Sequence, residues 1–288
     1  IGGRAPGSLP NEAREIFEEG VAVPPVKVFR KGELQDDIIK IVLRNSRMPH
    51  WNEGDFKGVI AACNIADRRC IEMAERFGDD VFYSALDELL ERNCRAMQKL
   101  IMETVPEEVQ TFEDYICDDA LGSGPYKIKC SMWREGEKVI FDFDGTDPQS
   151  PGSINFLLNE EMFKMFCGTF MISAFDPQIL FNDGFYDYMD VRIPEGSLLK
   201  PTRPAALSCR THALGRIFDV LGGLLGQGNP DFLCGAGFSD SPHFMYSGYD
   251  KNGEWYQLYQ IGFGGIPARP IGDGPDGHSL WPGFKNVP

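Results

Sequence analysis

YKIKCSMWREGEKVIFDF, residues 126–143, decides the fold. From Tyr126 to Met132 apolar and polar residues alternate, Glu135-Gly136-Glu137 supplies a turn, and Val139, Phe141 and Phe143 resume the alternation. A period of two places alternate side chains on opposite faces of a strand, so the stretch predicts an antiparallel hairpin with one buried face. A second hairpin is expected where HFMYSGY (243–249) and EWYQLYQIGF (254–263) flank Asp250-Lys251-Asn252-Gly253, because Asn-Gly accepts the positive φ values of a tight turn.

Upstream the period changes. Residues 1–34 are rich in Pro and Gly with one short helical stretch, and read as an ordered connection. Asp36 or Asp37 is placed to cap a helix carrying Ile38, Ile39, Ile41 and Val42. From Asp55, Phe56, Val59, Cys63, Ala66, Cys70, Ala74 and Phe77 keep helical spacing until Gly78; Asp79 then caps a second helix with Phe82, Leu86, Leu89, Leu90, Met97 and Ile101 on one face. These two predict a helical hairpin. Downstream, FLLNEEMFKMFCGTFMISAF (156–175) and SCRTHALGRIFDVLGGLLGQ (208–227) are apolar enough to be buried helices, and Gly222, Gly223 and Gly226 in the second leave room for a close backbone approach. The fold class is therefore α+β: a connection over 1–34, a helical region over 35–108, and a β-rich core region over 109–288 with antiparallel hairpins and two buried helices.

Charge and composition exclude some functions. The chain has 288 residues, 28 Lys and Arg against 43 Asp and Glu, and a formal net charge of −15. Such a field repels polyanions, which argues against a nucleic-acid partner. No apolar run approaches the roughly 18 residues of a membrane span. A chain of this length buries about 75% of its unfolded surface, enough for a sizeable core. The 8 cysteines form no CxxC pair and several fall in apolar periodic segments, which fits small hydrophobes in a reducing cytoplasm. Ile1-Gly2-Gly3 lacks an initiator Met and a secretory leader, so the chain is expected to be an internal piece of a longer one.

Two short motifs invite readings that their context denies. Asp142-Phe143-Asp144-Gly145-Thr146 matches the DxDGT signature of haloacid dehalogenase phosphotransferases, whose first Asp attacks phosphorus. That chemistry needs the motif at the end of a parallel strand with a helix following; here it ends half of a hairpin, Pro148 and Pro151 follow, and the acidic pair Asp79-Asp80 lies upstream. A strand end and an Asp-Gly turn account for it. Gly272-Asp273-Gly274-Pro275-Asp276-Gly277 satisfies GxGxxG, but His278-Ser279-Leu280-Trp281-Pro282 cannot open the helix a dinucleotide site requires.

The four histidines, His50, His212, His243 and His278, form no HxxxH or HExxH pair, so a complete metal site within the chain has weak support. His212 falls on the polar side of its helix, with Arg210 before it and Arg216 one turn later; a hydrogen-bonded structural role and a catalytic one both fit. His278 leaves a glycine-rich loop where backbone can approach a ligand, and packing fits it as well.

Taken together, IGGRAPGSLPNEAREIFEEGVAVPPVKVFRKGEL (1–34), DFDGTDPQSPGSIN (142–155), IPEGSLLKPTRPAALSCRTHALGRIFDVLGGLLGQ (193–227) and IPARPIGDGPDGHSLWPGFKNVP (266–288) resemble, in collinear order, one family: the HyuB-type large subunits of ATP-dependent hydantoinases, oxoprolinases, and acetone and acetophenone carboxylases. The segment Asp276-Gly277-His278-Ser279-Leu280-Trp281-Pro282 looks more like the ketone carboxylase branch, and most like its acetophenone type.

The resemblance implies an ATP-dependent, biotin-independent ketone carboxylase working in a hetero-oligomer. A HyuA-type partner subunit would carry ATP and Mg and phosphorylate bicarbonate, while the ketone is deprotonated to an enolate that captures the activated carbon. A divalent metal, Zn or Mn, is implied, with His-x-x-Asp ligands expected upstream of Ile1 and none within the chain. His212 and His278 are candidates for the base or its support, Arg210 for the developing negative charge, and Trp281 and Asp276 for substrate contacts. Phe244, Tyr246, Trp255, Tyr259 and Trp281 would suit an aryl pocket, or simply a core. The alternatives are an ATP-dependent hydantoin or lactam hydrolase and a non-catalytic scaffold subunit.

Overall fold

The structure is a computed structural model and describes residues 1–4, 9–231, 243–262 and 268–274. It opens with a short helix α1 (Ile16–Glu19) and a two-residue hairpin of β1 (Phe29–Arg30) and β2 (Glu33–Leu34), all within the connecting segment. Three helices follow: α2 (Asp36–Arg44), α3 (Pro49–Phe77) and α4 (Asp79–Thr104).

Their boundaries correct the capping assignments. Gln35 and Gly78 occupy the N-cap positions of α2 and α4, with no side-chain cap hydrogen bond, so Asp36, Asp37, Asp79 and Asp80 sit in the first turns, where they face the positive end of the helix dipole. α3 begins at Pro49, six residues before the expected Asp55, because proline at the first helical position costs no hydrogen bond. Gly78 closes α3 and opens α4 with φ of 85°, a conformation that favours glycine.

The hairpin of α3 and α4 stands largely in solvent. No residue of the 29-residue α3 is buried, and Val59, Ile65, Ile71 and Phe77 are each more than half exposed. α4 reaches the core only at its C-terminal end, where Asn93, Met97, Leu100 and Ile101 are buried. The helical region therefore runs into the core without a break.

That core is built on a four-stranded mixed sheet in the order β3 (Gln110–Ile116), β4 (Tyr126–Glu135), β5 (Lys138–Asp142), β6 (Met189–Arg192). β3, β4 and β5 pair antiparallel, as the alternation of 126–143 requires, and β6 joins β5 in parallel. Ile128, Cys130 and Met132 of β4 are fully buried on one face with Val139 and Phe141 of β5. α5 (Glu160–Phe175) and α6 (Thr211–Gly228) supply the facing layer, and Phe163 meets Phe141 and Phe143 edge-on at 5.0 Å each. A 3-10 turn at Asp183–Tyr188 places Phe185 beneath α5. β7 (His243–Tyr249) and β8 (Trp255–Ile261) form the second hairpin around Asn252-Gly253.

Both buried helices start later than their apolar runs. Asn159 caps α5 by accepting from the Met162 amide at 2.7 Å, while Phe156 and Leu158 pair their amides with the Leu198 and Leu199 carbonyls as extended chain. α6 starts at Thr211 because the amides of Leu207, Ser208 and Cys209 are already engaged outside the helix. Against expectation, what approaches α6 at Gly223 is an aromatic ring: a Cβ there would lie 2.5 Å from the Phe112 ring.

Asp142 has a structural task. Its carboxylate accepts from the Asp144 amide at 2.9 Å, Gly145 takes φ of 89°, and Thr146 and Asp147 bind back to the β4 backbone at Lys129 and Lys127. The turn closes on the sheet, with no helix after it.

Candidate functional site

Four distant segments meet at the start of α6 and enclose a cavity of about 330 Å³. Cys209, His212 and Arg216 line it from α6 and the residue pair before it; Tyr115, Cys117 and Asp118 line it from the end of β3 and the loop beyond. Ser153 and Asn11 close the remaining sides. A second cavity, between Leu86, Leu89 and Leu90 of α4 and Leu180 and Phe181, has no ionisable side chain in its lining.

Three sets of hydrogen bonds fix these walls. The N-terminal segment is strapped across the chain preceding α6: the Glu19 carboxylate accepts from the Leu207 and Ser208 amides at 2.5 and 2.6 Å, Ser208 Oγ donates to the Pro10 carbonyl, and Ser153 Oγ donates to the Asn11 carbonyl. Asn155, fully buried, accepts from the Ser150 amide and donates to the carbonyls of Ser150, Gly152 and Ala206, tying the 150–155 turn to the same segment. Asp119, also fully buried, accepts from the Leu121 and Ser123 amides and from the Tyr126 and Ser150 hydroxyls. Burial raises the Asp119 carboxyl, and those four donors outweigh it and hold the group below the usual carboxylate range.

The cation in the cavity wall is already paired. Arg216 lies 2.8 Å from Asp114 and 3.5 Å from Asp219, so its guanidinium is already paired. The group left chemically distinctive is Cys209. It occupies the position two residues before α6, and His212 follows it by three, a spacing that brings both to one side as the helix begins. The His212 amide donates to the Cys209 carbonyl at 3.2 Å. Burial raises the Cys209 thiol, but the hydrogen bonds from His212, Ser153 and Ser208 outweigh it and bring the thiol below its ordinary value. By contrast Cys130 and Cys167, buried in apolar surroundings, are pushed well up.

Of the residues singled out in the sequence, His212 lines the cavity. Arg210 is exposed at the N-cap of α6 and is absent from the cavity lining, where Arg216 stands instead. Asp276, His278 and Trp281 lie outside the described residues. Phe244 and Tyr246 are half exposed on the β7–β8 hairpin, so they form no enclosed aryl pocket there. Cys209 belongs to no CxxC pair, and its signal in the sequence is Cys-x-x-His at a helix start. Among the described residues no three His, Cys, Asp or Glu side chains are grouped to hold a metal ion, and no helix is long and apolar enough to cross a membrane.

Known proteins share both sequence and fold with this chain. The family described as Hydantoinase B/oxoprolinase matches residues 1–288. The caprolactamase subunit beta of Pseudomonas jessenii is 28% identical over 233 residues, covering 80% of this chain and 39% of that protein. The crystal structure of the ATP-dependent caprolactamase from Pseudomonas jessenii superposes with a TM-score of 0.81 at 25% identity, over 90% of this chain and 44% of that one. The nucleotide-free structure of acetone carboxylase superposes with a TM-score of 0.79 at 19% identity, over 96% of this chain and 41% of that one. The chain thus spans less than half the length of these relatives.

Proposed function

The chain belongs to the Hydantoinase B/oxoprolinase family, and from that premise we propose that it is part of a subunit of an ATP-dependent, biotin-independent enzyme that carboxylates a small ketone. The observation that carries the ketone reading is the segment Asp276-Gly277-His278-Ser279-Leu280-Trp281-Pro282, with its resemblance to the carboxylase branch. In this reading a HyuA-type partner subunit uses ATP and Mg to phosphorylate bicarbonate, within a cytoplasmic hetero-oligomer.

The residues of this chain serve the enolate half of the reaction. His212, at the cavity wall, takes a proton from the methyl carbon. His278 acts as a second proton carrier, and Asp276 and Trp281 contact the substrate. Arg210, exposed at the positive end of α6, draws the bicarbonate-derived anion. A bound divalent Zn or Mn ion would supply Lewis-acid polarisation of a carbonyl oxygen. Its ligands are expected upstream of Ile1. An aryl preference of the acetophenone type draws no support from Phe244 and Tyr246, which lie half exposed.

A second reading is ring opening of a cyclic amide at the expense of ATP, favoured by the likeness to the caprolactamase subunit. ATP turnover by the purified complex separates the two. Bicarbonate-dependent turnover with acetone or acetophenone, forming a β-keto acid, supports carboxylation. Bicarbonate-independent turnover with a lactam or hydantoin refutes it and establishes the second reading. Retention of either activity after His212→Ala and His278→Ala removes those side chains from the chemistry and favours a scaffold role.

A further inference from the structure

We propose that Cys209 and His212 form a nucleophile–base pair that accepts an activated acyl group, of the acyl phosphate class, as a thioester in the cavity at the start of α6.

The geometry carries this. A thiol two residues before an 18-residue helix lies at the positive end of its dipole, which favours the thiolate. His212 stands three residues on, its amide donating to the Cys209 carbonyl at 3.2 Å, and lines the same cavity wall, so a base accompanies the thiol as a thiol nucleophile needs. Both open onto a cavity of about 330 Å³, enough for a small acyl compound. The other ionisable groups facing that space are Tyr115, Cys117 and Asp118 from the β3 side and Arg216 from α6, the last neutralised by Asp114 and Asp219. Among these, His212 is the group suited to move a proton near neutral pH.

Phosphate suits the leaving group because it departs as an anion beside a helix N-terminus. The Cys209 thiolate attacks the acyl carbon; a C–S bond forms, the C–O bond to phosphorus breaks, and phosphate leaves with the electron pair. Water then attacks the thioester, His212 takes its proton, the C–S bond breaks and the thiolate returns. The sum is acyl phosphate and water to carboxylate and phosphate, with no oxidant or reductant. This activity does not depend on the ketone reading, and it deepens the ring-opening one by naming a residue for acyl capture.

Acetyl phosphate is the probe, applied to the full chain without ATP or partner, so that failure here is distinct from failure of the ATP-dependent reading. The expected result is a mass gain of one acetyl group, mapped to Cys209, abolished in Cys209→Ser and slowed about 100-fold in His212→Gln. Alkylation of the wild-type chain by iodoacetamide gives a measure that does not rest on the folding of any variant. Cys209 should react faster at neutral pH than exposed Cys63, with its rate inflecting at lower pH. Acetylation confined to lysines, or Cys209 reacting no faster than Cys63, overturns the proposal.

Discussion

Replacing Glu19 with alanine should loosen the cavity wall without touching any group that does chemistry. The Glu19 carboxylate accepts from two adjacent amides, Leu207 at 2.5 Å and Ser208 at 2.6 Å, across 188 and 189 residues of sequence. A hydrogen bond to a charged group is worth about 1.5–3 kcal/mol, so the pair could contribute about 3–6 kcal/mol if neither amide found a substitute. Water reaches the half-buried Leu207 more easily than the buried Ser208, which lowers the expected loss to about 2.8 kcal/mol, or 100-fold in the local opening equilibrium.

The assay is native-state amide hydrogen exchange. The Leu207, Ser208 and Cys209 amides should exchange about 100-fold faster in Glu19→Ala, while those of β4 stay at the wild-type rate because that strand is held independently. Glu19→Gln keeps one acceptor oxygen and should fall between. With the strap released, iodoacetamide should also reach Cys209 sooner. Unchanged exchange at Leu207 and Ser208 would refute the claim that this carboxylate holds the N-terminal segment to α6.

Three further outcomes follow from the packing. Asp119→Asn replaces an acceptor of two hydroxyls with a donor and should cost about 2–3 kcal/mol in urea melts. Because its folded pKa is depressed, the wild-type carboxylate stabilises the fold above its unfolded pKa of about 3.9 and loses that contribution as pH falls through the folded value, so the variant's melting temperature should depend less on pH below about 4. Gly168→Ala in α5 should destabilise by about 1–3 kcal/mol, since its Cβ would meet the buried Phe185 ring at 2.1 Å, whereas Gly58→Ala in α3, with nothing within 4 Å, should stabilise by about 1 kcal/mol; equal shifts in Tm would contradict the packing. Arg216→Met leaves Asp114 and Asp219 without their cation and should destabilise by about 3 kcal/mol, yet leave the alkylation pH profile of Cys209 nearly in place, because the paired guanidinium contributes little field there.

The hairpins and the two buried helices were legible because period-two alternation and long apolar runs are local signals. β3 and β6 were not: Phe112 and Tyr115 of β3 are exposed, so its alternation carries little contrast, and β6 has four residues whose pairing with β5 is set by the 3-10 turn before it. Helix starts shifted where tertiary partners took the backbone amides first, as at Leu207 and Leu158. His212 could be found from residue type alone. Choosing Arg216 over Arg210 required the phase of the helix, since residues four apart share a face and residues two apart do not.

The same reasoning locates the chemistry. A motif search sees neighbours in sequence, yet this cavity draws on Asn11, Tyr115, Ser153 and His212, brought together by carboxylates and amides that themselves react with nothing. Asp119, Asn155 and Glu19 spend their polar atoms on backbone groups and hydroxyls, and Arg216 spends its charge on two aspartates. Two thiols line the cavity, Cys117 and Cys209, and at Cys209 the neighbouring His212, Ser153 and Ser208 favour the ionised form. A wall this heavily tied cannot shift to suit different substrates, so discrimination falls to the size and polarity of what enters, and reactivity falls to Cys209 and His212.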